Sequence, residues 1–287
     1  LFAMVCDDSV VRGAEPVLVG SILDVNSLGK GGENYIEQVR QLAQGYIEAA
    51  KAANVAIVNG EVAELGSRVG GFGNFNYNWG AAVVWFANRD RLFTGREITE
   101  GDRIVGLKEN GFRSNGLSLV RRIMKEQHGD NWHEQKLDGN SLAELALTPS
   151  RIYSAAVVAM FGGYDLQVQP KAKIHGISHI TGGGIPGKLG RVLKPSGLGA
   201  YIEDPFEPSN LMLYCQEKGG VADEEAYKTW NMGQGMIVIT PKPDDVISVA
   251  NEHLIEAKVI GEVTSDDGIK IKNRGLNKDK DRELTFY

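Results

Sequence analysis

Ile177-Ser178-His179-Ile180-Thr181-Gly182-Gly183-Gly184 is a short β-like run that opens into three consecutive glycines, with a helix predicted from there through Leu193. A junction of this kind turns backbone N–H groups and a helix N-terminus toward an anion. Working outward, strands are predicted at Val55 to Val58, Trp79 to Phe86, Ile104 to Leu107 and Met236 to Thr240. Ile36, Val39, Ala43, Tyr46, Ile47 and Ala50 have the three-and-four spacing of a helix over Asn34 to Ala50. Further helices are predicted from Leu117, capped by Ser114 or Asn115, from Pro149 to about Phe161, and over Asp244 to Glu256. Helices and strands alternate throughout, so the fold class is mixed α/β. The charged connection Asn88 to Arg103 divides the chain near Glu97, giving domains 1–96 and 97–287.

A chain of 287 residues has the length of about two domains. Thirty-one Lys and Arg against thirty-seven Asp and Glu leave a net charge of −6, so no global attraction to nucleic acid or anionic lipid is expected. The longest apolar stretches, such as Ala81 to Ala87, fall far short of the roughly 20 residues that span a bilayer. Cys6 and Cys215 form neither a CxxC pair nor a disulfide framework, which favours a reducing, cytoplasmic setting and excludes a thiolate zinc site. Leu1 to Cys6 reads as a strand already in progress, and the true beginning of the chain is expected upstream. The one charge run is the tail from Asn277 to Glu283.

Several segments carry residues suited to chemistry. Gly182 to Lys188 fits the opening of a phosphate-binding P-loop, but Leu189 stands where magnesium needs a hydroxyl, and Pro186 has no N–H to offer. The glycines then either bind a phosphate or substrate or make a tight turn under a packed helix. His175 and His179 are four apart, yet Gly176 and Ile177 argue against a helix that would aim both at zinc. His179 is a candidate phosphate donor or acid-base group, or else a satisfied structural histidine. Asp7 and Asp8 follow an apolar run, and Glu61 and Glu64 follow the strand ending at Val58. Carboxylates placed so suit hard cations and nucleotide phosphates, or simply a solvated turn. Asn110 to Gly116 gathers Arg113, Ser114 and Asn115 in one polar loop, and Asn231 to Met236 leads glycines into an apolar strand.

In order, these segments closely resemble the aminoimidazole ribonucleotide synthase family, the phosphoribosylformylglycinamidine cyclo-ligases. The resemblance rests on Asp8 through Arg12-Gly13-Ala14-Glu15-Pro16, on Gly60-Glu61-Val62-Ala63-Glu64, and on Gly111 through Ser114-Asn115-Gly116 with Ser118 to Arg121. His179 through Gly184, Asn231 through Met236 and Thr148 through Tyr153 complete it. It implies an N-terminal domain whose sheet pairs with that of a second subunit, a C-terminal α/β domain, and active sites at the interface of a homodimer. It implies ATP and Mg2+, with Asp8 on the metal and the phosphates, Asp7 and Glu64 beside the nucleotide, and Glu61 near phosphoryl transfer. His179, Gly182, Gly183 and Gly184 would line the substrate cleft, with Arg113, Ser114, Asn115 and Asn231 as further substrate contacts. The implied reaction closes the ring of formylglycinamidine ribonucleotide at the expense of ATP, in purine biosynthesis.

Three departures stand out: Arg113 where the family usually has His, Val62 where it usually has Thr, and a glycine-rich loop after Glu64 with Asn74, Asn76 and Asn78. Arg113 cannot serve as a base, and is read as binding a substrate phosphate or oxyanion, or as a salt-bridged surface residue. The family's glycine-rich nucleotide segment is expected upstream of Leu1. The alternatives are another ATP-using member of the same superfamily, such as a small-molecule kinase or a selenophosphate-synthetase-like enzyme, and a non-catalytic dimeric homologue.

Overall fold

The structure, a computed structural model, describes residues 1–277 and 283–287. Most of the charged tail therefore lies outside the described residues. The chain begins with a helix rather than a strand: α1 (Phe2–Val10) buries Phe2, Cys6 and Val10, four apart, on one face. That helical spacing sits inside a run of apolar residues that reads equally well as β.

β1 (Ala14–Val25) follows and forms the spine of the first sheet. Pro16 and Gly20 stand inside it, residues that local pattern counts against a strand. Pro16 is tolerated at a register shift between Pro16 and Leu18, where the ladder is already broken. After a two-residue ribbon, β2 (Gly29–Lys30) with β3 (Glu33–Asn34), comes α2 (Ile36–Ala53). β4 (Ala56–Ile57) and β5 (Glu61–Glu64) then pair in parallel along one edge of β1, and β6 (Tyr77–Ala87) pairs antiparallel along the other. Glu61 and Glu64 are thus part of a strand, not of the loop behind one. Val19, Trp79, Ala81 and Val83 face α1 and α2. The opposite face is uncovered: Ile22 and Val84 are 41% and 51% exposed.

The second sheet starts at β7 (Arg103–Lys108). α3 (Leu117–His128) follows Gly116, which adopts a left-handed conformation, and no side chain caps it; Ser114 and Asn115 lie before the turn. The ribbon β8 (Lys136–Leu137) with β9 (Asn140–Ser141) leads to α4 (Leu142–Ala146). α5 (Ser154–Phe161) begins five residues beyond Pro149. The remaining elements are β10 (Gly176–His179), α6 (Gly184–Leu193), β11 (Gly199–Ile202), α7 (Asn210–Gly219) and α8 (Asp223–Thr229), then β12 (Gln234–Thr240), α9 (Pro243–Glu252), β13 (Ala257–Thr264), β14 (Ile269–Lys272) and β15 (Glu283–Phe286). α9 stops at Glu252 because Leu254 takes a left-handed φ of 58° before β13.

The strand order is β10-β12-β7-β13-β11-β14-β15. One face packs on α5 and α9 through Val105, Leu107, Val157, Met160 and Val238; the other packs on α3, α6, α7 and α8 through Ile104, Val120, Leu189 and Ile237. β12, with every residue buried, has no polar face, as a strand covered on both sides requires. α1 joins the two halves, because Phe2 and Cys6 pack under the first sheet and Val10 under the second. This places Asp7 and Asp8 at the seam, opposite the end of β10.

Candidate active site

Asp7 is wholly buried. Its Oδ1 accepts the backbone N–H groups of Tyr153 and Ser154 at 2.9 and 2.8 Å, and its Oδ2 takes Arg113 Nη2 at 3.0 Å. A carboxylate on α1 therefore caps the first turn of α5, where unsatisfied N–H groups and the helix dipole favour an anion. This explains why α5 starts at Ser154 rather than at Pro149. Full burial pushes the Asp7 pKa above the usual carboxylate value, against the pull of Arg113, His179 and the Tyr153 N–H. Both of its oxygens are committed within the chain, so Asp7, read from the sequence as a nucleotide contact, has no free oxygen for one among the described residues.

Arg113 is likewise buried, in a left-handed backbone conformation with φ 59°. Nη1 donates to Glu109 Oε2 at 2.7 Å and to the Arg151 carbonyl at 2.9 Å; Nη2 donates to the Ala3 carbonyl at 3.0 Å as well as to Asp7. It is neither a free substrate fork nor a surface residue. The chain's own carboxylates occupy the nitrogens that the loop sequence offered to a ligand. Tyr153 closes the cluster, its ring 5.2 Å from the guanidinium and its hydroxyl on the Lys108 carbonyl at 2.8 Å.

Nη2 also lies 2.8 Å from His179 Nε2. A guanidinium has no acceptor, so Nε2 must be the acceptor, and the ring proton then resides on Nδ1. Nδ1 is 2.6 Å from Asp8 Oδ1, so His179 donates to Asp8. That hydrogen bond, ahead of the opposing effect of burial, holds the Asp8 carboxyl below the ordinary range. The Asp8 side chain is 61% exposed, and its second oxygen has no protein partner among the described residues. His175, by contrast, pairs with Asp102 at 2.7 Å, so the two histidines turn to different carboxylates.

The glycine loop begins three residues beyond His179. Gly182 and Gly183 are exposed, and Gly183 has φ 95°. Gly184 is a packing glycine: a Cβ there would collide with the Tyr227 carbonyl. Ser114 is exposed and Asn115 half-buried, with an Nδ2 that finds no partner among the described residues. Asn231 is buried and occupied, donating to the Gly111 carbonyl at 2.8 Å and accepting from Gly233 N at 2.9 Å. It thereby ties the Arg113 loop, at Gly111, to the turn before β12. Glu61 and Glu64 are exposed on β5, and no contact among the described residues links them to Asp8 or His179.

Among the described residues, no group of three or more His, Cys, Asp or Glu side chains gathers to hold a metal. Mg2+ needs only one or two protein carboxylates when phosphates supply the rest, and Asp8, with one free oxygen, fits that demand where Asp7 does not. The sequence reading missed Glu109, four residues before Arg113, and Tyr153. The acid-to-arginine spacing was visible, but nothing local said that both would be buried.

Comparison with known proteins agrees with this architecture. The profile described as AIR synthase related protein, N-terminal domain, matches residues 1–81, and the one described as AIR synthase related protein, C-terminal domain, matches residues 99–273. The phosphoribosylformylglycinamidine cyclo-ligase of Methanocaldococcus jannaschii is 34% identical over 99% of this chain and 77% of its own length. That of Methanococcoides burtonii is 32% identical over 94% and 73%. The crystal structure of E. coli HypE, a hydrogenase maturation protein, shares the fold with a TM-score of 0.62 at 18% identity, over 100% of this chain and 78% of that one. With both domain profiles in order and this identity along nearly its whole length, the chain belongs to the phosphoribosylformylglycinamidine cyclo-ligase family of AIR synthase related proteins.

Proposed function

We propose that this chain carries out the ATP-dependent ring closure of formylglycinamidine ribonucleotide to aminoimidazole ribonucleotide. The observation that carries this reading is the 34% identity over 99% of the chain. The site is compatible with it. In the reaction the formamide oxygen accepts the terminal phosphoryl group of ATP, and the amidine nitrogen attacks the activated carbon. Phosphate leaves with that oxygen, and the nitrogen loses a proton. The protein's tasks are to neutralise the transferring group and to hold nitrogen against carbon, both of them matters of positioning.

Asp8, aimed by His179, presents a carboxylate at the cleft mouth. Mg2+ held there supplies positive charge to the phosphates. The N–H groups of Gly182 and Gly183 and the amide of Asn115 are free to bind substrate oxygens. Arg113 and Asp7 act one layer back, fixing the His179 tautomer and the start of α5. Two copies joined through the uncovered face of the first sheet would bury Ile22 and Val84, and would bring Glu61 and Glu64 to a site that a single chain leaves apart. No helix among the described residues is long and apolar enough to cross a membrane. Cys6 and Cys215 are buried thiols whose pKa values burial pushes up to about 12.

The test is a colorimetric assay for the aminoimidazole product with ATP, magnesium and formylglycinamidine ribonucleotide. Product is expected. None above the no-enzyme control, from protein shown to be folded, would overturn the reading.

A further inference from the structure

A cleft of about 140 Å³ lies where α1, β10 and α6 converge, lined by Asp8, Arg12, Ser178, His179, Lys188 and Arg191. α1 and the turn after it bring Asp8 and Arg12, four residues apart. α6 brings Lys188 and Arg191, three apart and hence on one helical face. Three cations therefore meet one carboxylate, in a chain whose net charge is −6. Among the described residues none of the three forms a salt bridge, and the one hydrogen bond of the Arg12 guanidinium is a long one of 3.4 Å to the Phe93 carbonyl.

Ser178 adds a second, independent observation. It is 2% exposed, and its hydroxyl has no partner among the described residues, whereas buried hydroxyls as a rule have one. Like charges gathered in a concave site repel one another unless an anion sits among them, and a cleft focuses their field. Guanidinium forks bind carboxylates and phosphates alike, but three converging cations match the extra oxygens and the near-double negative charge of a phosphate rather than the single charge of a carboxylate.

We propose that Arg12, Lys188 and Arg191, with Ser178, form a phosphate-binding subsite beside Asp8 and His179. The cation cluster stands by itself. Which phosphate it holds rests on the cyclo-ligase reading, which supplies two sources of the same chemistry: the phosphomonoester of the ribonucleotide and the phosphates of the nucleotide.

The experiment uses the whole chain and three variants, Arg12→Met, Lys188→Met and Arg191→Met, each checked for an unchanged melting temperature. Ribose 5-phosphate and magnesium–ADP are titrated into each by calorimetry. Loss of one charge-assisted contact should weaken binding about tenfold. If ribose 5-phosphate weakens and ADP does not, the subsite holds the substrate's phosphate; the reverse pattern assigns it to the nucleotide. Unchanged affinity for both probes in all three variants overturns the proposal, as does a wild-type chain that binds neither. A wild type that binds ribose 5-phosphate through these cations yet makes no aminoimidazole keeps the subsite and sinks the cyclo-ligase reading.

Discussion

Replacing Arg113 by methionine should cost this protein about 3–5 kcal/mol of folding stability, because it removes one partner from a fully buried ion cluster. The Arg113 and Asp7 side chains are 0% exposed and that of Glu109 is 1% exposed. The variant leaves two carboxylates in the interior with no cation. Each keeps some donors: Asp7 retains the Tyr153 and Ser154 N–H groups, and Glu109 retains the Asn110 N–H at 3.0 Å and the Arg151 N–H at 3.2 Å. These lessen the penalty without replacing a charge. Since whole-protein stability is about 5–15 kcal/mol, the loss is a large part of it. Urea unfolding should show a lower midpoint with an unchanged slope. Adding Asp7→Asn and Glu109→Gln removes the stranded charges, and this neutral triple variant should recover most of the loss. Arg113→Lys keeps the charge but cannot reach five acceptors at once, so its effect should appear in stability before it appears in the Michaelis constant. An Arg113→Met variant within about 1 kcal/mol of wild type would refute the reasoning, since no buried cluster of this kind tolerates a missing cation so cheaply.

Asp8→Asn should lower turnover by about 2–4 kcal/mol of transition-state stabilisation with little change in unfolding midpoint; near-normal turnover at saturating magnesium would remove Asp8 from the metal. Asp7 should leave a signature in the pH dependence of stability. Its folded-state pKa is raised, so the native chain binds extra protons, and stability falls as pH rises from about 3.9 through the raised value. Asp7→Asn should flatten that stretch of the melting curve, and a slope that survives the substitution would assign it to another group. Light scattering at micromolar concentration should give about twice 31.2 kDa, and a monomer would leave Glu61 and Glu64 with no part in the chemistry.

Local pattern was enough for the elements whose period is clean. The three-and-four spacing from Ile36 gave α2, and the apolar runs at Trp79 and Ile104 gave β6 and β7 within two residues of their ends. It failed where one sequence fits two periods or where the deciding contact is distant. Phe2 to Val10 fits both strand and helix, and only packing beneath two sheets selects the helix. β1 was hidden by Pro16, which a break in register accommodates. The start of α5 is set by Asp7, 147 residues away from Ser154. The same holds at the site. Asp8, His179 and the glycines were legible as motifs, but the roles of Asp7, Arg113 and Asn231 depend on burial, which no short window of sequence carries.

The measurement that tests the account most directly follows the formamide oxygen. Substrate labelled with heavy oxygen at the formyl group is turned over with magnesium and unlabelled ATP, and the inorganic phosphate is analysed by mass. Ring closure through phosphorylation of that oxygen predicts one labelled oxygen in each phosphate released. Aminoimidazole formed alongside unlabelled phosphate, with the label lost to water, would contradict the account.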